Sequence, residues 1–238
     1  MKRAYRVCSA VLLSMLLSAC TTTTGTRVQL TESQLKGIQT LGVYVQTNHQ
    51  FSVRMAREEM TDTGALLGGL IGAGIESGVR DSQDKRRETA LLPLSQRFDL
   101  RQTVADDLQK YLTAINLFTT VRPVDTDKWD ALRANGVDAV LNVNLGQWGL
   151  IVCNSAGGKD KRTQVGIEAH EELLDLSSGK IIWERNEDYL DGDCRVFDDF
   201  ESQSNLLTSL LGTAVDNMTG RIANEIRYPQ TATKGAGP

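Results

Sequence analysis

Apolar and polar residues alternate most regularly in the middle of the chain. Over residues 138–148, Ala139, Leu141, Val143 and Leu145 face one way, while Val140, Asn142 and Asn144 face the other. This period of two predicts a central strand that continues toward Cys153. A polar loop over 155–162 leads into a hairpin. Val165, Ile167, Ala169, Glu171 and Leu173 hold alternate positions, residues 175–179 turn the chain, and Ile181 and Trp183 return on one face. Two shorter strands are predicted over 41–47 and 51–55, split by Asn48-His49-Gln50, and another over 118–121.

Helical spacing governs the rest. Leu100, Val104, Leu108, Leu112 and Ile115 repeat along 99–115, with Asp99 placed to cap and Asn116 to stop the helix. A second helix is expected over 125–134, carrying Trp129 and Leu132 and ended by Asn135-Gly136. A loop rich in acids, 188–201, precedes a last helix. Its stripe is Leu207, Leu210, Leu211, Ala214, Val215, Met218, Ile222 and Ile226. The order of elements predicts one α+β domain, with a mixed β-sheet covered by helices on one face. A Gly-rich helical insert follows the first strands, and a highly charged linker runs over 80–88.

The N-terminus sets the location. Met1-Lys2-Arg3-Ala4-Tyr5-Arg6 is basic, and residues 7–17 are apolar but too few to span a bilayer stably. The run ends in Leu17-Ser18-Ala19-Cys20, which resembles the lipobox of bacterial lipoproteins. The resemblance implies that Cys20 is acylated after the leader is removed. Thr21, where an Asp would imply inner-membrane retention, then points to the periplasmic face of the outer membrane in a two-membrane cell. The expected divisions are therefore a signal peptide (1–19), a lipidated polar tether (20–35), the domain (36–228, with 64–88 as Gly-rich segment and charged linker) and a disordered tail (229–238).

Composition refines this picture. With 40% hydrophobic and 24% charged residues in 238, a packed core is expected. Loss of Lys2, Arg3 and Arg6 leaves 23 basic against 30 acidic residues, a net charge of −7, with no basic stripe to suggest nucleic acid. Of four cysteines, Cys8 lies in the leader and Cys20 at its end, which leaves Cys153 and Cys194 for a disulfide in an oxidising compartment. Two buried or intermolecular thiols are the alternative.

At Asn135-Gly136-Val137-Asp138-Ala139-Val140-Leu141 and Asp175-Leu176-Ser177-Ser178-Gly179-Lys180-Ile181-Ile182-Trp183, the chain resembles a group of periplasmic lipoproteins. They are relatives of the curli-secretion channel lipoprotein and of the N-terminal domain of the Tol translocation protein. The resemblance covers roughly residues 36–228 and rests on structural motifs, in which Gly179 makes a turn and Trp183 fills the core. It implies a fold and not an activity. One departure is that no pair of long alternating strands is available to span a membrane.

Several groups invite chemistry. Gly64, Gly68 and Gly72, and again Gly74 and Gly78, recur every four residues among Leu66, Leu67, Leu70, Ile71 and Ile75. On a helix they form a flat ridge suited to self-association or membrane contact; a flexible loop or ordinary packing is the plainer reading. His170 stands among Glu168, Glu171 and Glu172, and Glu168, His170 and Glu172 share one strand face. The helix-borne zinc motif is absent and His49 is distant, so a solvated face is expected rather than a metal. Asp188, Asp191, Asp193, Asp198 and Asp199 match no calcium loop. No nucleophile motif, cofactor motif or phosphate loop is found. The sequence thus predicts a non-catalytic, lipid-anchored envelope protein without cofactor. It would serve as an interaction or assembly and transport subunit, as a homo-oligomer or with an envelope partner. The alternative is a pore or secretion-channel component that uses the glycine helix.

Overall fold

Strand β4 (Ala139–Val152) is the centre of the molecule, and its alternation decides what lies on each side. Ala139, Leu141, Val143 and Leu145 are buried beneath helices, whereas Asn142 and Asn144 lie half-buried on the opposite face. The structure is a computed structural model and describes residues 28–55, 82–153, 162–190, 193–203 and 205–229.

Parallel to β4 runs β1 (Thr40–Thr47), which pairs in turn with β3 (Thr120–Pro123), also parallel. Strand β2 (Phe51–Met55) continues the β1 line along the far half of β4. On the other side β5 (Arg162–Asp175) and β6 (Lys180–Leu190) are antiparallel, so the strand order is β3-β1-β4-β5-β6. A short β7 (Arg195–Val196) pairs with the start of β5. The β5–β6 turn is built as expected. Gly179 takes φ +68° and donates its N–H to Asp175, whose carboxylate also accepts from Ser177 and Ser178. Gly149 has a sterner requirement: at φ +139° beside β2, an added Cβ would lie 2.0 Å from the Ser52 carbonyl oxygen.

Six helices among the described residues accompany the sheet. They are α1 (Glu32–Leu35), α2 (Ser82–Ser95), α3 (Leu100–Ala114), α4 (Trp129–Ala134), α5 (Phe197–Ser202) and α6 (Leu206–Arg227). The apolar stripes of α3 (Leu100, Val104, Leu108, Leu112) and α6 (Leu207, Leu211, Val215, Met218, Ile222) bury against the same sheet face. The Asp99 carboxylate accepts the Gln102 N–H at 2.9 Å and caps α3; Asn116, at φ +54°, ends it. Among the described helices, only the one-and-a-half-turn α4 lies on the opposite face. There Trp129 and Leu132 join Tyr44, Val137, Val140, Leu174 and Leu176 in a small second cluster.

Four expectations need correction. The charged stretch over 80–88 is not a linker from Ser82 onward but part of α2, which buries Leu91 and sets Arg87 over the Phe197 ring at 4.9 Å. Lys85 and Arg86 face solvent, whereas Arg87 and Glu88 turn inward, the latter accepting the Val53 N–H. The acidic loop is shorter than expected, because β6 runs to Leu190 and β7 and α5 form within it; Phe197 and Phe200 supply the buried anchors. Helix α4 starts at Trp129, not near 125. The domain also begins before residue 36: Leu30 and Leu35 are buried in the main core, and Val28 accepts the Glu184 N–H along the β6 edge.

Candidate functional site

The face of the sheet away from α3 and α6 carries the densest polar constellation. Strand alternation sends Glu172 and His170 from β5 and Glu184 and Asn186 from β6 to this side. In the register Glu172 lies opposite Glu184, and His170 opposite Asn186. Across the other edge of β5, Asn142 pairs with Glu172 and Asn144 with His170. The result is a two-by-three grid of polar side chains on three adjacent strands.

Within the grid the imidazole is held at both nitrogens. His170 Nδ1 lies 2.5 Å from Asn186 Oδ1, and Nε2 lies 3.0 Å from Glu172 Oε1 and 4.0 Å from Glu184 Oε1. The second oxygen of Glu172 accepts from Asn142 Nδ2 at 3.1 Å. The side chains of His170, Glu172 and Glu184 are between 24% and 29% exposed, reachable from solvent yet packed enough to be held in place. Among the described residues, no lysine or arginine pairs with Glu172 or Glu184. The sequence places Glu168, His170 and Glu172 on one face; it does not show that Glu184 and Asn186 complete the group, because that depends on the hairpin register.

Glu171 points the other way, under α6, and is fully buried with Arg185 and Tyr189. The Tyr189 hydroxyl donates to Glu171 Oε1 at 2.9 Å. Arg185 pairs with Glu187 and with Glu225 of α6, and Arg221 of α6 reaches Glu187. Burial pushes the Glu171 carboxyl up to about 8, against the opposing effects of the Tyr189 hydrogen bond and the Arg185 charge. Glu171 is therefore a neutral acid at pH 7. The same burial raises the Tyr189 hydroxyl beyond any physiological range. From buried Glu171 and Arg185 the network runs out to the exposed Glu225 and Arg221, and its geometry is that of a polar weld between β6 and the last helix.

Cys153, at the end of β4, is joined to Cys194, just before β7, with Cα atoms 6.2 Å apart. The described aspartates of the acidic loop form no cluster of convergent donors. Asp193 pairs with Arg195 at 3.7 Å, Asp198 and Asp199 open α5, and Asp188 projects from β6. Asp191 lies outside the described residues, as do Cys20 and the ridge Gly64, Gly68, Gly72, Gly74 and Gly78. An open depression beside α4 is lined by Asp127, Lys128, Trp129, Asp130, Arg133 and Ile181, and its Arg133 and Asp130 form an exposed ion pair at 3.9 Å. No helix among the described residues is long and apolar enough to cross a membrane.

No family model matches the chain, and no curated protein matches it. Solved structures provide distant likenesses. A PelC dodecamer from Paraburkholderia phytofirmans is 14% identical, covering 81% of this chain and 93% of that one, with a TM-score of 0.32. Protein XCC0632 from Xanthomonas campestris is 12% identical over 78% of this chain and 81% of its own, with a TM-score of 0.42. A minor lipoprotein from Acinetobacter baumannii is 13% identical over 53% and 84%, with a TM-score of 0.34.

Proposed function

We propose that the protein is a non-catalytic, lipid-anchored envelope protein that acts as an interaction or assembly subunit, as a homo-oligomer or with an envelope partner. The observation that carries this reading is the lipobox Leu17-Ser18-Ala19-Cys20 behind a basic, apolar leader. A disulfide between Cys153 and Cys194 supports it, because such a bond persists on the oxidising side of a membrane. Two or three acyl chains on Cys20 would give near-permanent attachment, since each buried methylene contributes ~0.8 kcal/mol.

Metabolic labelling with radioactive palmitate tests the anchor. The parent chain should incorporate label and sediment with outer membranes, and Cys20→Ser should do neither. Label retained by the Ser variant would remove the basis of the proposal. Native mass spectrometry of the detergent-solubilised chain should then show a defined homo-oligomer or a co-purifying envelope protein; a lone monomer from native membranes would count against the assembly role.

A further inference from the structure

The open sheet face holds three potential ligands whose arrangement asks for a cation. We propose that His170 Nε2, Glu172 Oε1 and Glu184 Oε1 form a three-donor site for a divalent transition-metal ion of the zinc class. These three donor atoms lie within 4.8 Å of one another, and the shortest separation is the 3.0 Å between His170 and Glu172. Ligands of a tetrahedral ion with bonds of about 2.0 Å stand roughly 3.3 Å apart, so modest rotation of the Glu184 side chain closes the set.

Three independent features make this more than a group of acids. First, Glu172 and Glu184 are direct cross-strand partners, a like-charge pairing that costs stability unless something positive sits between them. Among the described residues no lysine or arginine does so, and the group that lies beside both carboxylates is the His170 imidazole. Second, the imidazole is oriented as metal-bound histidines are. Asn186 Oδ1 can only accept, so it holds the ring through Nδ1–H and leaves Nε2 as the atom aimed at the carboxylates. At 3.0 Å from Glu172 Oε1, Nε2 needs either a proton or a metal ion between the two atoms, and the two compete for one place. Third, Glu172 has its own supporting partner, the Asn142 amide, whose Oδ1 is buried without a hydrogen bond. One nitrogen and two oxygen donors suit Zn²⁺ and its neighbours better than Ca²⁺ or Mg²⁺, which prefer oxygen alone. The fourth position opens to solvent, where water or a donor from a partner would complete the shell.

The chain has only two histidines, so its imidazole resonances form a clean assay. Zn²⁺ is titrated into the purified full-length chain in detergent, with the disulfide oxidised, and the ring nitrogens are followed by ¹⁵N NMR. His170 should shift and saturate at one equivalent while His49, assigned through His49→Gln, stays in place. Co²⁺ should give visible ligand-field absorption at the same stoichiometry. Glu172→Gln and Glu184→Gln should each weaken binding at least tenfold, and removal of the orienting amide in Asn186→Ala should weaken it by about 10–100-fold. Asp130→Asn, on exposed α4, serves as the control and should bind like the parent. Equal shifts at both histidines, no shift at His170 with millimolar Zn²⁺, or undiminished binding by Glu172→Gln would each overturn the site. The parent titration decides the matter even if a variant misfolds, and none of these outcomes depends on membrane attachment.

Discussion

Glu171 and Glu172 are adjacent in sequence and opposite in chemistry. Alternation along β5 puts Glu172 on the solvent-facing grid and Glu171 in the core, beneath α6. That division was legible in the sequence, since Glu171 falls in the apolar row of Ile167, Ala169 and Leu173, and His170 falls in the polar one. What the sequence could not supply were the partners, because Tyr189 and Arg185 come from the next strand and Glu225 from the last helix. The titration of Glu171 has a definite consequence. Its folded-state value is raised from 4.5 to about 8, so as pH climbs between these values the unfolded chain releases a proton that the folded chain keeps. Stability contributed by the neutral acid is complete below about pH 4.5, falls as pH rises, and is lost by about pH 8. Glu171→Gln retains an acceptor for Tyr189 and removes the proton, so it should flatten this dependence. Relative to the parent, the variant should gain as much as ~4 kcal/mol between pH 5 and pH 8.5 in urea unfolding. A gap between the two proteins that does not change with pH would show that Glu171 is ionised in the fold.

The elements that were legible have a strong period, and those that were not are held by tertiary contacts. Helices α3 and α6 and strands β4 and β5 follow directly from their stripes of Leu, Val and Ile. Helix α2 escaped because Asp84-Lys85-Arg86-Arg87-Glu88 reads as solvated chain, and its fixed points, Leu91 and the Phe197 ring over Arg87, appear only once α5 is in place. Likewise β7 is two residues long and no periodicity could reveal it. The disulfide belongs to this scale too. It pins the end of β4 to the segment entering β7, across a sequence separation of 41. Closing such a loop stabilises the fold by ~4 kcal/mol in the chain-entropy model. Cys153→Ser with Cys194→Ser should lower the denaturation free energy by about that amount. The loss should concentrate as faster amide exchange in β7 and the first residues of β5. Parent protein that alkylates at Cys153 without reductant would contradict the pairing.

At the scale of the molecule, the early start of the domain changes how it would sit on a membrane. Val28 is already bonded to Glu184 on the β6 edge, and Leu30 is in the core, so only residues 21–27 separate the proposed anchor from packed structure. Eight residues from Cys20 to Val28 span at most roughly 28 Å when fully extended. A domain of this size is about 40 Å across. The tether is therefore shorter than the domain, which biases the β6 edge toward the bilayer relative to the β3 edge at the opposite end of the strand order. The polar grid of His170, Glu172 and Glu184 lies on the two strands at that near edge, and would face the interfacial region or a partner seated there. This orientation can be measured. A fluorescent amino acid placed at exposed Ile181, at the start of β6, should transfer energy to an acceptor lipid efficiently in proteoliposomes carrying the acylated chain. The same probe at Leu117, equally exposed but just before β3, should transfer clearly less. Lengthening the tether with about twenty Gly-Ser residues after Thr24 should bring the two signals together, because the leash then exceeds the width of the domain. Equal transfer from both positions with the native tether would mean that the short leash does not orient the domain.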